Sequence, residues 1–313
     1  MLAVTVRDGE LYVEERPDPV PGAGEVLVQV RAAGVNGADI HQLRGGYPAP
    51  PGVPPDILGL ELAGEVLSTG DGALRFTAGD RVMGIVGGGG QAELAVVHER
   101  VLMPVPDRLD WPLAGAVPEA FTTAHDAVFT QAGLLAGERL LVHGAAGGVG
   151  TAAVQLGRAA GARVSATVRH PELRAGVAAL GASVLAPEEF ADQGPFDVIL
   201  ELVGASNLGG NLRSLATGGR IAVIGVGGGG AAGELNLGLL MSRRARIHGS
   251  TLRPRPLEEK ALTARAVERS VLPLLADGAI TVPIAAEYSL TQARQAYDRF
   301  LAGGKLGKIV LRT

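Results

Sequence analysis

The segment LLVHGAAGGVGT, residues 140–151, lies near the middle of the chain and has the pattern of a strand, a glycine-rich turn and a helix start. Its first three residues form a short apolar run, which is typical of a buried strand. After the turn, Val149, Ala153 and Leu156 recur at a helical spacing and predict one apolar helix face. We therefore expect a strand–turn–helix unit at the centre of the protein.

The turn carries small residues at Ala145, Gly147 and Gly150, the spacing of the dinucleotide-binding pattern G-x-G-x-x-G. Small residues there allow a tight turn, close approach of the backbone to a pyrophosphate, and close packing of helix on strand. The amides at the helix N-terminus would face the phosphates. No lysine stands where a nucleoside triphosphatase loop requires one. The turn thus predicts a dinucleotide site, and the alternative is an ordinary strand-to-helix turn.

The cofactor's ribose contact is expected about 20 residues after the glycines. The predicted strand 162–168 ends there, and Arg169 follows it. An acidic residue at this place would hold the 2′-hydroxyl of NAD, whereas a guanidinium suits the 2′-phosphate of NADP. Arg169, with Arg174 nearby, therefore favours NADP(H). The alternative is that Arg169 is a solvated loop charge.

Composition excludes several classes of protein. The chain has 313 residues, of which 47% are hydrophobic and 19% charged, which is typical of a globular protein of two ordinary domains. A net charge of −4 predicts no nucleic-acid or anionic-membrane partner. The absence of cysteine excludes disulfides, thiolate zinc sites and thiol nucleophiles. The N-terminus lacks the pattern of a signal peptide, so a cytoplasmic protein is expected.

The pattern of residues changes along the chain. From about residue 2 to 118, short alternating runs broken by glycine and proline indicate a β-rich domain. Beyond that, apolar strands alternate with helix-length segments, which indicates a parallel sheet covered by helices on both faces. The closing strand 307–311 is expected to return to the first domain. We predict one domain of residues 1–119 with 254–313, and a cofactor-binding domain of residues 120–253.

Several motifs occur together and in the order of one protein family. They are GVNGAD (34–39), LGLELAG (58–64), AGDRV (78–82), GAAGGVG (144–150), GSTLR (249–253) and GKIVL (307–311). Over essentially its whole length the chain resembles the medium-chain dehydrogenase/reductases, and among them the zinc-free NADPH quinone oxidoreductases related to zeta-crystallin. The resemblance implies an α/β fold, with a doubly wound parallel (Rossmann) domain and a β-rich GroES-like domain built from both chain ends. It also implies a homodimer through the sheet edge of the cofactor domain.

The resemblance implies that the catalytic metal is missing. In zinc-dependent alcohol dehydrogenases of this superfamily, the positions matching Asn36 and Leu60 carry cysteine and histidine ligands. Neither residue is an ordinary zinc ligand, which leaves Glu61 alone. We therefore expect no metal. Without a Lewis acid, the expected substrates are acceptors that take hydride readily, such as quinones or activated enones.

The resemblance also implies roles for individual residues. The nicotinamide of NADPH is expected near Asn36 and Asp39, with Tyr47 lining the substrate pocket. We predict hydride transfer from C4 of the nicotinamide while Asn36 and Tyr47 donate hydrogen bonds to the carbonyl oxygen. The alternatives are that Asn36 only holds its loop and that Tyr47 is only an aromatic lid, and Asp39 is expected to orient its neighbours. The predicted cofactor-binding residues are Ala145, Gly147, Gly148, Val149, Gly150, Thr167, Arg169, Arg174, Gly225, His41, Thr251 and Arg253.

These observations leave three functional hypotheses. The favoured one is an NADPH-dependent reductase of quinones or similar electron-poor carbonyl compounds. The alternative within enzymes is an NADPH-dependent enoyl thioester reductase, which needs a wider pocket and a positioned proton donor. The alternative of another class is an NADPH-binding sensor or structural protein with little catalysis. For Arg253, a charge at a domain interface is an equal alternative to a cofactor contact.

Overall fold

The computed structural model describes residues 1–313 and divides them into two compact units. The first comprises Met1–Thr122, Leu252–Gly303 and Lys308–Thr313, and the second comprises Thr123–Thr251 and Gly304–Gly307. The sequence predicted domain boundaries at 119/120 and 253/254. It did not assign the short segment before residue 308 to the second unit. That segment belongs there because the amide of Gly307 donates to the carbonyl of Ala146 at 2.8 Å.

Strands and helices alternate with loops along the whole chain. The strands are β1 (Leu2–Arg7), β2 (Glu10–Glu15), β3 (Glu25–Val35), β4 (Glu61–Thr69), β5 (Arg81–Ile85), β6 (Leu94–His98), β7 (Leu102–Pro104), β8 (Arg139–Val142), β9 (Arg163–Thr167), β10 (Ser183–Leu185), β11 (Phe196–Glu201), β12 (Leu215–Val223), β13 (Arg246–Gly249), β14 (Ile284–Ser289) and β15 (Lys308–Arg312). The α-helices are α1 (Gly37–Leu43), α2 (Trp111–Gly115), α3 (Pro118–His125), α4 (Gly148–Ala159), α5 (Pro171–Ala179), α6 (Leu208–Ser214), α7 (Leu237–Arg243), α8 (Leu257–Ser270), α9 (Leu272–Ala276) and α10 (Ala293–Leu301).

The first unit is built on a seven-stranded sheet with the order β14-β15-β3-β4-β5-β7, and β6 also pairs with β3. On β3, Val26, Val28 and Val30 alternate with more exposed residues, so one face of the strand enters the core. The last strand of the chain, β15, lies antiparallel to β3, with Ile309 opposite Val35. Both ends of the chain therefore build this unit, which confirms the predicted β-rich, GroES-like part of the fold.

The second unit contains a six-stranded parallel sheet with the order β10-β9-β8-β11-β12-β13. Numbered within the unit, this order is 3-2-1-4-5-6, the doubly wound Rossmann arrangement. The switch in strand order falls between β8 and β11, and the glycine-rich turn follows β8. In such sheets ligands bind at the carboxyl ends of the strands, at this switch point. The predicted Rossmann fold is confirmed.

None of the helices combines the length and the apolar character that crossing a bilayer requires.

Candidate active site

The site in the first unit begins where the chain leaves β3 and enters α1. Asn36 precedes the helix, and its backbone N–H donates to Oδ2 of Asp39 at 2.8 Å. This hydrogen bond satisfies one amide at the start of the helix and fixes the Asp39 side chain relative to the backbone. The structure therefore brings together two of the three predicted catalytic residues. Tyr47 lies further along, in the loop after α1.

A buried ion pair lies beside Asn36. Nζ of Lys308, at the start of β15, donates to Oε1 of Glu61 at 2.5 Å. The two side chains are 5% and 0% exposed. Oε2 of Glu61 accepts the backbone N–H of Glu119 at 2.8 Å. Both carboxylate oxygens thus have partners, as a buried charge requires.

Asn36 bridges this ion pair. Its Nδ2 donates to Oε1 of Glu61 at 2.9 Å, and its Oδ1 accepts a hydrogen bond from Lys308. A Cβ at Gly34 would overlap the carboxylate of Glu61, which explains the glycine of the GVNGAD motif. Since both ends of its amide are engaged, the geometry favours the alternative in which Asn36 holds its loop. Its hydrogen bond to a substrate carbonyl stays a prediction.

Asp39 lies behind Asn36 and is fully buried. Burial raises the pKa of its carboxyl group to about 7, against the opposing effects of the Asn36 N–H and of Lys308. Its Oδ2 also accepts from Nε2 of Gln91 at 3.5 Å, and Gln91 accepts from the hydroxyl of Tyr297 at 2.8 Å. Through these hydrogen bonds Asp39 contacts the groups that it is expected to orient, and that role stays a prediction.

Arg253 connects two loops and the end of α1 in the first unit. It is 5% exposed, and its guanidinium donates to the carbonyl of Gly87, the carbonyl of Tyr47 and Oε1 of Gln42, each at 2.7 Å. The same guanidinium lies 4.8 Å from the centre of the Tyr47 ring. The sequence predicted a cofactor contact or an interface charge for Arg253. The structure directs it to the loop of Tyr47, and the cofactor contact stays a prediction.

Tyr47 is half-buried, with its ring under Arg253. Burial raises the pKa of its hydroxyl, the charge of Glu119 raises it further, and Arg253 lowers it. The hydroxyl is therefore protonated at neutral pH and can donate a hydrogen bond. Glu119 was not among the predicted site residues, because its relation to Tyr47 and Glu61 exists only in the folded chain.

The glycine-rich turn of the second unit forms as predicted from its residue types. Gly147 precedes α4, and a Cβ at Gly150 would lie 2.6 Å from the Cα of Ala145. Close packing of the helix on the strand therefore requires glycine at that position. Gly148, Val149 and Gly150 form the first helical turn, whose N–H groups have no partners within the helix. A phosphate group fits such a helix N-terminus.

A buried polar network supports this turn. Nδ1 of His143 lies 3.0 Å from Oγ1 of Thr167, and its Nε2 lies 2.8 Å from Oδ1 of Asn211. Nδ2 of Asn211 donates to Oε2 of Glu201 at 2.8 Å. Burial lowers the pKa of His143, so its ring is neutral. No local sequence pattern predicts this network, because its members are distant along the chain. The hydroxyl of the predicted cofactor residue Thr167 belongs to it.

The remaining predicted cofactor residues lie in several places. Arg169 is exposed just beyond β9, and Nε of Arg174 donates to the carbonyl of Val168 at 3.2 Å, so both arginines lie at the same strand end. The amide of Gly225, after β12, donates to the carbonyl of Glu201 at 3.1 Å. Thr251 follows β13 and is exposed. His41 lies on α1 of the first unit, with its side chain exposed.

Two family models match the chain. The alcohol dehydrogenase GroES-like domain matches residues 22–107, and the zinc-binding dehydrogenase domain matches residues 148–268. Quinone oxidoreductase of Rattus norvegicus is 33% identical over 306 residues, which cover 94% of this chain and 90% of the relative. Erythronolide synthase EryA2 of Saccharopolyspora erythraea is 47% identical over 156 residues, covering 49% of this chain and 4% of the synthase. The mycobacterial protein Rv1454c, solved in complex with NADPH, has a TM-score of 0.88 and 27% identity, and each chain is covered completely.

The second family model is named for zinc, but the side chains of this chain do not make a zinc-ligand set. No group of three or more histidine, cysteine, aspartate or glutamate side chains is arranged so that it could hold a metal ion. Glu61, the carboxylate expected at such a site, is neutralised by Lys308, and the amide of Asn36 is hydrogen-bonded to both. A zinc ion would therefore have to displace a buried ammonium group or bind without enough ligands.

We predict that Lys308→Met destabilises the protein, because it leaves the carboxylate of Glu61 buried without its counter-charge. Breaking one side of a buried ion pair costs about 3–5 kcal/mol. Urea unfolding followed by circular dichroism should show a loss of this size in the free energy of unfolding. Adding Glu61→Gln should recover part of the loss, because neither charge then remains buried.

Arg312→Met is the matched control for this experiment. Arg312 lies on the same strand, and its ion pair with Glu287 at 3.5 Å is exposed. An exposed pair contributes about 1 kcal/mol or less. If the free energy of unfolding fell as little in Lys308→Met as in Arg312→Met, the buried ion pair would not stabilise the first unit as predicted.

We also predict that Arg253→Lys loosens the loop of Tyr47. Lysine keeps the charge but cannot reach the Gly87 carbonyl, the Tyr47 carbonyl and the Gln42 side chain at once. Amide hydrogen exchange of residues 42–47 should speed up by an amount equivalent to about 1–3 kcal/mol of local stability. Arg269→Met, which removes an exposed arginine from α8, should leave this exchange unchanged. Equal protection in Arg253→Lys and the wild type would contradict the prediction.

Proposed function

We propose, from the premise that the chain belongs to the quinone oxidoreductase family of the medium-chain dehydrogenase/reductases, that it reduces quinones or similar electron-poor carbonyl compounds with NADPH and without zinc. The observation that carries the proposal is the internally neutralised cluster of Lys308, Glu61 and Asn36. A zinc-dependent alcohol dehydrogenase needs a metal to polarise an alcohol. In this chain, the side chains of this cluster form hydrogen bonds and an ion pair with one another. Acceptors that need no Lewis acid suit such a site.

Tyr47 is the proposed direct participant from this chain. Its protonated hydroxyl would donate a hydrogen bond to the acceptor oxygen as negative charge develops there. Arg253 holds the ring and the loop in place, so the donor is positioned before an acceptor binds. Asn36 is proposed to lie beside the nicotinamide. Its side chain is held by hydrogen bonds with Glu61 and Lys308. NADPH, when bound, supplies the hydride.

The glycine-rich turn and the arginines at the end of β9 are the proposed cofactor site. The first turn of α4 would hold the pyrophosphate, with Ala145 and Gly147 allowing its approach. Arg169 and Arg174 would contact the 2′-phosphate. The NADPH-bound structure of Rv1454c, similar over the whole chain, supports the choice of this cofactor.

An NADPH-dependent enoyl thioester reductase is the second candidate. The observation in its favour is the 47% identity to part of erythronolide synthase EryA2, which is higher than the 33% to the rat quinone oxidoreductase. The match to the synthase covers only 49% of this chain, whereas the match to the quinone oxidoreductase covers 94%. This difference favours quinones as substrates. A nucleotide-binding sensor with little catalysis remains the alternative of another class.

A homodimer and a cytoplasmic location stay predictions. For the dimer, the outermost strand of the six-stranded sheet offers support. β13 pairs with β12 on one side only, so its outer edge presents unpaired backbone groups that a second copy could bind.

We predict that the purified protein oxidises NADPH with 1,4-naphthoquinone and that prolonged treatment with EDTA leaves the rate unchanged. Stopped-flow absorbance at the NADPH band measures the rate, and elemental analysis should find zinc well below one atom per chain. Crotonyl coenzyme A, tested in parallel, should be reduced more slowly. Faster reduction of the thioester would favour the second candidate, and no reduction of either compound would favour a sensor.

Tyr47→Phe is the control that connects this activity to the site. Removing one donor to a developing oxyanion lowers kcat by about 100-fold or more in well-studied cases. NADPH binding, followed by fluorescence titration, should not change. An unchanged kcat would restrict Tyr47 to the role of an aromatic lid.

We predict that Arg169→Ala raises the KM for NADPH and leaves the KM for NADH unchanged, because only NADPH carries the 2′-phosphate. Because hydrogen bonds to a charged group are lost, the KM for NADPH should rise by about 10- to 100-fold. Arg163→Ala is the matched control, since Arg163 is an exposed arginine at the opposite end of the same strand. Equal effects on both cofactors would overturn the role given to Arg169.

A further inference from the structure

The loops after β11 and β12 lie at the carboxyl ends of strands in the second half of the parallel sheet. A doubly wound sheet consists of two mononucleotide-binding halves. The glycine-rich turn and Arg169 both belong to the first half, β8 to β10. We therefore expect the second half, β11 to β13, to receive the nicotinamide end of the cofactor. The proposed mechanism gives no role to the residues that shape its two loops.

Glu201, the last residue of β11, holds the start of the first of these loops. Its side chain is buried, and Oε1 accepts the backbone N–H groups of Val203 at 2.7 Å and Gly204 at 2.9 Å. Oε2 accepts Nδ2 of Asn211 at 2.8 Å and Nδ2 of Asn207 at 3.1 Å. A carboxylate can accept all of these hydrogen bonds, whereas an amide of the same shape has only one acceptor oxygen. The conformation of this loop therefore depends on the carboxylate.

The glycine run of residues 227–230, after β12, rests on the same loop. The amide of Gly229 donates to the carbonyl of Val203 at 2.7 Å. A Cβ at Gly204 would lie only 2.5 Å from the carbonyl oxygen of Gly230, so the two backbones approach each other as closely as glycine allows. The glycine run thus takes its position from the loop after β11.

We propose that Glu201 is a positioning residue for the nicotinamide end of the cofactor. Because its side chain is buried, it acts through the two loops, which its carboxylate holds in the conformation that binds a dinucleotide. The inference rests on the proposed function, since it takes NADPH as the ligand. An apparent affinity falls with the fraction of the protein that is in the binding-competent conformation. Loss of this carboxylate therefore weakens NADPH.

Glu201→Gln tests this role, with NADPH and adenosine 2′,5′-bisphosphate as the probes. The bisphosphate has the 2′-phosphate but no nicotinamide, so it is a ligand for the first half alone. In the variant, an NH₂ group must face either the two backbone donors or the two asparagine donors. Isothermal titration calorimetry with the full-length protein should show NADPH weakened by about tenfold or more and the bisphosphate unchanged. Glu188→Gln, the same change at an exposed glutamate of the second unit, should alter neither affinity.

Adding Asn211→Asp to Glu201→Gln exchanges the carboxylate and the amide of this contact. The amide at position 201 can then donate to the carboxylate at position 211, while its oxygen faces the N–H groups of Val203 and Gly204. Nε2 of His143, 2.8 Å from Oδ1 of Asn211, can donate to the same carboxylate. We expect the double variant to recover most of the lost NADPH affinity, which a general loss of stability would not predict.

Gly204→Ala disturbs the contact between the two loops without changing Glu201, and it keeps the test decisive if Glu201→Gln does not fold. Its Cβ would meet the Gly230 carbonyl, so NADPH should again be weakened while the bisphosphate is not. Circular dichroism identifies an unfolded variant. Unchanged NADPH affinity in a folded variant, or equal weakening of both ligands, would overturn this proposal alone. Failure of the wild type to bind NADPH would overturn the proposed function with it.

Discussion

The buried ion pair of Lys308 and Glu61 is the constraint on which the first unit depends. Two charges can be removed from water only where the surrounding groups satisfy both of them. Here that requires the start of β15, the start of β4, the side chain of Asn36 and the amide of Glu119 to meet at one point. Residues far apart in the chain are thus held in one arrangement. The loop that leads to Tyr47 starts from this fixed point.

The second unit uses a hydrogen-bonded network instead of an ion pair for the same purpose. His143, Thr167, Asn211 and Glu201 join the carboxyl ends of three strands beneath the glycine-rich turn. Burial lowers the pKa of His143, so Glu201 is held by hydrogen bonds and not by a buried cation. Glu201 also accepts the amides of Val203 and Gly204, which ties the next loop to the same edge. The backbone that would receive a dinucleotide therefore rests on hydrogen-bonded side chains.

Sequence patterns predicted those parts of the protein that depend on local residue type. The apolar strands around residue 140 and the small residues at Ala145, Gly147 and Gly150 predicted the Rossmann unit. At Gly150 the close packing of helix on turn leaves no room for a Cβ. The partners of long side chains could not be predicted in this way. Lys308 lies 247 positions from Glu61, and the pairing of β15 with β3 and of β3 with β4 brings them together. For Arg253 the resemblance implied a cofactor contact or an interface charge. Its hydrogen bond to the carbonyl of Tyr47, 206 positions earlier, could not be predicted from the sequence.

The hydrogen bonds of Arg253 have a consequence for how an acceptor molecule would be selected. A segment that is already rigid loses little conformational entropy when a ligand binds, so ordering it does not weaken binding. Some enzymes have flexible binding loops that change conformation to fit varied ligands. The loop of Tyr47 has little of this flexibility. If the proposed reductase binds its acceptor beside this loop, the fixed position of Tyr47 would select acceptors by shape.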